Sequence, residues 1–322
     1  ETPWEPSSCS GSKGSCGHVC NLITRDGITS DSFQLRVTRF SFNNGARAQT
    51  IFFPPFNPRE YNRAMPIALS TNPLTGELYF RLPLPHSNFI LTPPRASDTE
   101  SLMHIIRDPA VHTWLARPSA EWGLDDAQML NDAHIAQARS VLQAMQEGDG
   151  LGFFGDCPLR AIREVGQPDA ADVYVGNVSI KRCGWFDVAS PQREALIALN
   201  DARAVGDGDI VWQVSDFLAP KHHRRGIMTA ALSALLAAWF VPRMNVRKMH
   251  VCVFLGNAGS VRVLEKLGFV LSATVEDFLL VRGEKRGLQV LDWDYEDALL
   301  DLPGLAVQLS SPYNTIPKKE LH

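Results

Sequence analysis

The sequence predicts an α/β protein, a mixed sheet with helices on both faces, and three observations point to it. Strand-like segments meander first and then alternate with helical patterns. Ser97-Asp98-Thr99-Glu100 spells a helix-opening signal, a hydroxyl followed three residues on by a carboxylate. A β-rich run, Ile210 to Leu218, passes through a basic turn into an apolar helical stretch that begins at Gly226.

The elements follow in order. Glu77 to Leu84 alternates as a strand, and Asn88 to Thr92 is a second, stopped by Pro93-Pro94. After the Ser97 signal, Leu102, Ile105 and Ile106 share one face of a helix that Pro109 interrupts. Asp125 to Gln146 carries Met129, Leu130, Ile135, Val141, Leu142 and Met145 at helical spacing. Strands are expected at Gly152 to Val165, Asp172 to Lys181 and Ile210 to Leu218, with an insertion, Gly184 to Gly208, that holds a short helix at Gln192 to Asn200. The apolar helix runs to Phe240 and is ended by Pro242. A strand, Met249 to Leu255, a helix, Ala258 to Leu267, and a hairpin, Phe269 to Arg282 with Leu288 to Tyr295, complete the set; Gly283 to Gly287 is the expected turn. This partitions the chain into an irregular N-terminal extension (1–75), one domain (76–300) and a C-terminal tail (301–322).

Of 322 residues, 45% are apolar and 20% charged, the balance of a globular protein and not of a disordered chain. With Lys plus Arg at 31 against Asp plus Glu at 35, the net charge is −4, which excludes a general nucleic-acid binder. The longest nearly uncharged run, Gly226 to Val241, is shorter than the roughly 20 residues of a membrane span. No membrane partner is expected. The sequence starts without Met and without a basic-led apolar signal, so its start reads as processed or truncated. Cys9, Cys16, His18 and Cys20 crowd the start without the C-x-x-C pairs of zinc modules, and read as tail. Cys157, Cys183 and Cys252 read as reduced core residues of a cytoplasmic protein, and no metal is expected.

The chemistry concentrates in Leu218-Ala219-Pro220-Lys221-His222-His223-Arg224-Arg225-Gly226-Ile227-Met228-Thr229. A strand feeding a basic turn feeding a helix traps anions, because the first-turn amides lack partners and the helix dipole adds positive potential. Gly226 lets a phosphate approach the backbone, and Lys221, Arg224 and Arg225 add charge; His222 and His223 add more below about pH 6.5. The turn is neither a nucleotide-hydrolysing P-loop nor a dinucleotide fingerprint. The plain alternative is a solvated surface turn.

That stretch resembles the acyl-CoA pyrophosphate loop of the GNAT superfamily of N-acetyltransferases. Asn257-Ala258-Gly259-Ser260-Val261-Arg262-Val263-Leu264-Glu265-Lys266-Leu267-Gly268-Phe269 resembles that family's second CoA motif. Leu91 to Asp98, with Asp108 to Leu115, is similar to the start of its ribosomal-protein (RimJ/RimL-like) branch. The resemblance spans roughly residues 87 to 296 and implies the GNAT acyl-CoA N-acyltransferase fold, with splayed central parallel strands. It also implies acetyl-CoA as co-substrate and a primary amine, on a protein N-terminus or a small molecule, as acceptor.

On the same resemblance, Phe217 and Leu218 pair with the pantetheine arm through their backbone. His223, Arg224, Arg225, Gly226, Ile227, Met228 and Thr229 hold the diphosphate, and Asn257 contacts the cofactor. His223 stands where the family has Gln or Arg, Met228 stands for Gly or Ala and would narrow the cradle, and Leu264 stands where many members carry a Tyr acid. Ser260 is the substitute acid that the branch suggests. Asp216 is the first candidate base, with Glu276 and Asp277 behind it. Trp212, Phe217 and Trp185 either line the acceptor pocket or belong to the core. The alternative reading is a catalytically silent acyl-CoA-binding regulatory domain.

Overall fold

In the computed structural model, residues 69–116, 122–147, 152–166 and 171–296 are described, and they build one nine-stranded sheet in the order β1-β2-β3-β4-β5-β6-β7-β9-β8. The strands are β1 (Leu69–Thr71), β2 (Leu78–Arg81), β3 (Phe89–Thr92), β4 (Ala161–Glu164), β5 (Val173–Arg182), β6 (Val211–Leu218), β7 (Lys248–Phe254), β8 (Val270–Val281) and β9 (Glu284–Asp294). All neighbours are antiparallel except β6 and β7, which are parallel. The sheet therefore starts at Leu69, inside the span expected as extension; the Cys9–Cys20 cluster lies outside the described residues.

The helices longer than one turn are α1 (Thr99–Arg107), α2 (Leu124–Glu147), α3 (Gln192–Asp201), α4 (Ile227–Leu235) and α5 (Ala258–Glu265). One face of the sheet carries α4 and α5, whose Ile227, Leu232 and Leu264 pack with Trp212, Val214 and Leu218 of β6. The other carries α1, whose Leu102, Ile105 and Ile106 pack with Tyr174, Ala219 and Phe217, and α2 packs on α1.

Local chemistry moved several boundaries. The cap falls two residues before the expected signal, on the 3₁₀ turn Ala96–Asp98 that leads into α1: Asp98, not Glu100, reaches back, accepting the Arg95 N–H at 2.7 Å. The same carboxylate is tied to the Arg163 guanidinium at 2.7 Å, both groups 2% exposed, and Arg163 also donates to Thr92 Oγ1. That buried, fully engaged pair fixes where α1 begins on the sheet. Of the expected strand Gly152 to Val165, only Ala161–Glu164 pairs. Phe154 instead leaves the sheet and stacks on Trp239, with ring centroids 5.7 Å apart. Met129 faces solvent, because Ala127, Asn131, Ala138 and Val141 form the buried stripe of α2.

Pro242 does not end the apolar helix. A π turn, Leu236–Phe240, follows α4 and Pro242 then opens the last turn, Val241–Met244, where its missing N–H costs least. Asn245, at φ 54°, terminates it. Ile227–Met244, apolar enough by composition to span a membrane, is 94% buried within the fold, which makes it the central core helix. The final hairpin turn is tighter than expected: Val281 already pairs with Glu284, leaving Arg282 and Gly283, both at positive φ, as a two-residue turn.

Candidate active site

β6 and β7 touch only at Val211↔Lys248 and Trp212↔Met249, although β6 runs on to Leu218 and β7 to Phe254. Beyond Trp212 the two parallel strands part. Hydrogen-bond parity shows which groups face the gap. Cys183 N–H donates to the Val211 carbonyl and Ala219 N–H to the Val175 carbonyl, so odd-numbered residues of β6 bond to β5. The main-chain groups of Val214 and Asp216, and the Leu218 N–H, therefore point into the gap. On β7, Leu255 N–H donates to the Gly287 carbonyl and Tyr295 N–H to the Arg247 carbonyl, so odd residues bond β9 and the even ones, Cys252 and Phe254, face β6. Strand edges inside a sheet demand a partner.

This parity corrects one expectation. Phe217 turns its backbone toward Asn177 of β5, and its carbonyl crowds Gly176, where an added Cβ would lie 2.5 Å from it. A peptide-like ligand would pair with Val214, Asp216 and Leu218 instead, and Phe217 contributes its ring to the α1 side of the core.

At the carboxyl end of β6, Pro220–His222 makes a 3₁₀ turn, Arg224 and Gly226 take positive φ (59° and 79°), and α4 begins at Ile227. The first helical bond is Ala230 N–H to the Gly226 carbonyl, so the amides of Ile227, Met228 and Thr229 have no partner within the helix. A Cβ on Gly226 would come within 3.3 Å of His86 Nε2 and meet nothing else closer than 3.9 Å, so the glycine borders open space beside an imidazole. The turn therefore fits a diphosphate: unpaired amides, a left-handed glycine and the exposed Lys221 and Arg224 side chains.

Side chains of the turn behave differently from expectation. The Met228 side chain is 7% exposed and packs in the core, so it does not narrow the cradle. His223 Nε2 lies 2.7 Å from the Leu218 carbonyl and fastens the turn to the end of β6. His222 is 2% exposed, edge-on to Phe89 at 5.6 Å, and its Nδ1 accepts from Arg225 at 3.0 Å. Burial, chiefly, lowers its pKa below the usual 6.5, so it adds no positive charge to the turn at neutral pH. The folded state holds that proton less well than the unfolded chain, so the group costs stability as pH falls below about 6.5. NMR titration of the ring is expected to give a pKa under 6.5; protonation persisting at pH 7 would contradict this placement.

Asp216 shares the α4 face of β6 with Trp212 and Val214, is partly buried, and joins no salt bridge among the described residues. Loss of solvent pushes its carboxyl up to about 6. On α5, Asn257 is the N-cap: its Oδ1 accepts the Ser260 N–H at 3.2 Å and its Nδ2 donates to Ser260 Oγ at 3.0 Å. Leu264 is 2% exposed in the core, so no proton donor stands there. Glu276 and Asp277 lie exposed on β8, separated from β7 by β9, and are not brought to the gap. Trp212, 1% exposed, is core and not pocket. Trp185 lies beside His250 on the other face, ring centroids 6.5 Å apart.

Two features escaped the sequence. His86 comes to the turn from the β2–β3 connection, and burial with the nearby Arg225 lowers its pKa. His250 sits between Asp292 (Nδ1, 2.7 Å) and Asp187 (Nε2, 2.9 Å), contacts made across more than forty residues of sequence.

Residues 88–270, more than half of the chain, match the family model described as an acetyltransferase (GNAT) domain. The chain belongs to the GNAT acetyltransferase family. Its sheet, parted strands and helices on both faces are the GNAT fold, and it is an acetyltransferase by family. Among solved structures, it is similar to a GNAT-family acetyltransferase from Bacillus anthracis, with 12% identity and a TM-score of 0.44 over 72% of this chain and 99% of that one. It is also similar to spermidine N-acetyltransferase from Vibrio cholerae in complex with CoA and spermine (13%, 0.45, covering 66% and 99%). A third similarity is to the ribosomal-protein-S5-alanine acetyltransferase from Vibrio fischeri (14%, 0.43, covering 65% and 94%). A search of curated proteins found no match.

Proposed function

We propose that this GNAT chain moves acetyl from acetyl-CoA to a primary amine by direct attack, without an acyl-enzyme. The observation that carries the reading is the gap itself: unpaired main-chain groups of Val214, Asp216 and Leu218 lead to the partnerless amides of Ile227, Met228 and Thr229. Amides in a row suit the pantetheine arm, and the turn suits the diphosphate. Lys221 and Arg224 add charge to the turn, and Asn257 stands at the end of β7.

The bound co-substrate supplies an activated acyl group. Asp216, with its carboxyl near 6, is ionised at neutral pH yet basic enough to take the proton that the amine sheds as its C–N bond forms. A gap-facing main-chain N–H of β6 polarises the acyl oxygen. Ser260, its Oγ already accepting from Asn257, gives a proton to the departing sulfur, the duty that Leu264 cannot perform. The likeness of Leu91 to Asp98 and Asp108 to Leu115 to the RimJ/RimL-like branch supports a protein N-terminus as acceptor, with small-molecule amines as the other class. A cytoplasmic setting is supported by Cys157, Cys183 and Cys252 all being free thiols.

Thiol release measured over a panel of peptide N-termini and small amines tests this reading. Turnover of at least one acceptor class, dependent on acetyl-CoA, is expected. Tight CoA binding with no turnover on any acceptor would favour the silent regulatory domain.

A further inference from the structure

On the face of the sheet opposite α4, the loop after β5 folds against β7 and brings Asp187, His250 and Cys252 together, all three partly buried, with one donor atom from each within 4.8 Å of the others. We propose that these three side chains form a binding site for a divalent transition metal of the zinc class.

The geometry supports it at each level. Asp187 Oδ1 lies 2.9 Å from His250 Nε2 and 3.4 Å from Cys252 Sγ. Ligand pairs around a tetrahedral zinc, with bonds of roughly 2.0–2.3 Å, sit roughly 3.4–3.6 Å apart, so the Asp187–Cys252 pair already has that spacing and the Asp187–His250 pair would open by about half an ångström. The donor set of carboxylate oxygen, imidazole nitrogen and thiolate sulfur matches a borderline-soft ion and not magnesium or calcium. His250 is already oriented to act as a ligand, because its Nδ1 is held by Asp292 at 2.7 Å, which leaves Nε2 to face Asp187 and the site. A carboxylate behind a metal-binding imidazole fixes its tautomer and raises its basicity. Binding would exchange the ring and thiol protons for the metal, releasing both to solvent.

Three protein ligands leave a fourth position open to water or another donor. His250 and Cys252 stand on β7, the wall of the gap, and Asp187 belongs to the insertion, so the ion would pin the insertion to that wall. This departs from the sequence expectation of no metal and does not depend on the acceptor or on turnover.

Cobalt(II) titrated into the metal-free 322-residue chain provides the test, with the metal alone as probe. Uptake of one ion per chain is expected, with a thiolate-to-cobalt absorption band in the near ultraviolet. Cys252→Ser is expected to abolish that band, and Asp292→Asn to weaken binding ten- to a hundredfold while leaving the far-ultraviolet dichroism unchanged. No stoichiometric uptake by folded wild type would overturn the proposal. So would a band that survives Cys252→Ser, since the thiolates would then lie elsewhere, as at Cys9, Cys16 and Cys20. If Cys252→Ser fails to fold, Asp292→Asn decides: unchanged affinity there rejects the site.

Discussion

Gly226→Val is expected to raise the dissociation constant for coenzyme A at least about thirtyfold, a loss of about 2 kcal/mol. Two causes combine. Gly226 holds φ at +79°, a region that a β-branched residue enters at a cost of about 1–3 kcal/mol, so the turn would relax and misdirect its amides. The new side chain would also occupy the space through which the diphosphate approaches the Ile227, Met228 and Thr229 amides. Gly283→Val separates these causes. It carries the same kind of strain, at φ +81° with nothing within 4 Å, but sits in the β8–β9 turn away from the loop. It is expected to lower thermal stability and leave the affinity unchanged in calorimetry. Equal losses in both variants would reduce the cradle to a folding effect.

Asp216→Asn is expected to lower kcat by about a hundredfold or more, the usual loss for a positioned base. In the wild type, kcat/KM should fall about tenfold per pH unit below a limb near 6, where the carboxyl of the free enzyme is raised by burial. The variant should lose that limb. Its stability should move the other way. A carboxyl whose folded pKa lies above its ordinary 3.8 favours the fold at low pH and opposes it as pH rises through 6. Removing the charge should therefore stabilise the protein at pH 7–8 by up to about 3 kcal/mol, while changing little near pH 4. A slower but more stable variant marks strain kept for chemistry. Full activity with the limb intact would move the base elsewhere.

How far the site was legible in the sequence follows from the range of each interaction. The turn between β6 and α4 is local: its glycine, its basic residues and the apolar run behind it lie within a dozen positions, and local chemistry dictates their placement. Asn257 and Ser260 are likewise three residues apart, an N-cap spacing. Side-chain direction was less legible. Met228 reads as an obstruction in the phosphate loop, yet helical phase turns it into the core, just as strand phase turns the Phe217 backbone toward β5. The parting of β6 and β7 was expected from family likeness alone, because nothing in the two strands' letters forbids full pairing. Least visible was the His250 cluster. Its members come from positions 187, 250, 252 and 292, and only the sheet order β6-β7-β9 brings them together.

Helix ends show the same division. Asp98 outcompetes Glu100 as the cap because Arg163, on a strand more than sixty residues away, needs a carboxylate at that spot. Pro242 fails as a terminator because a π turn precedes it, a register change no periodicity in the run announces.

Whether the opening between β6 and β7 is a coenzyme site is tested most directly by a crystal structure with bound acetyl-CoA. Pantetheine amides paired with the backbone of Val214, Asp216 or Leu218 are expected, with diphosphate oxygens on the amides of Ile227 to Thr229. A ligand seated outside that opening, with those amides bonded only to solvent, would contradict it.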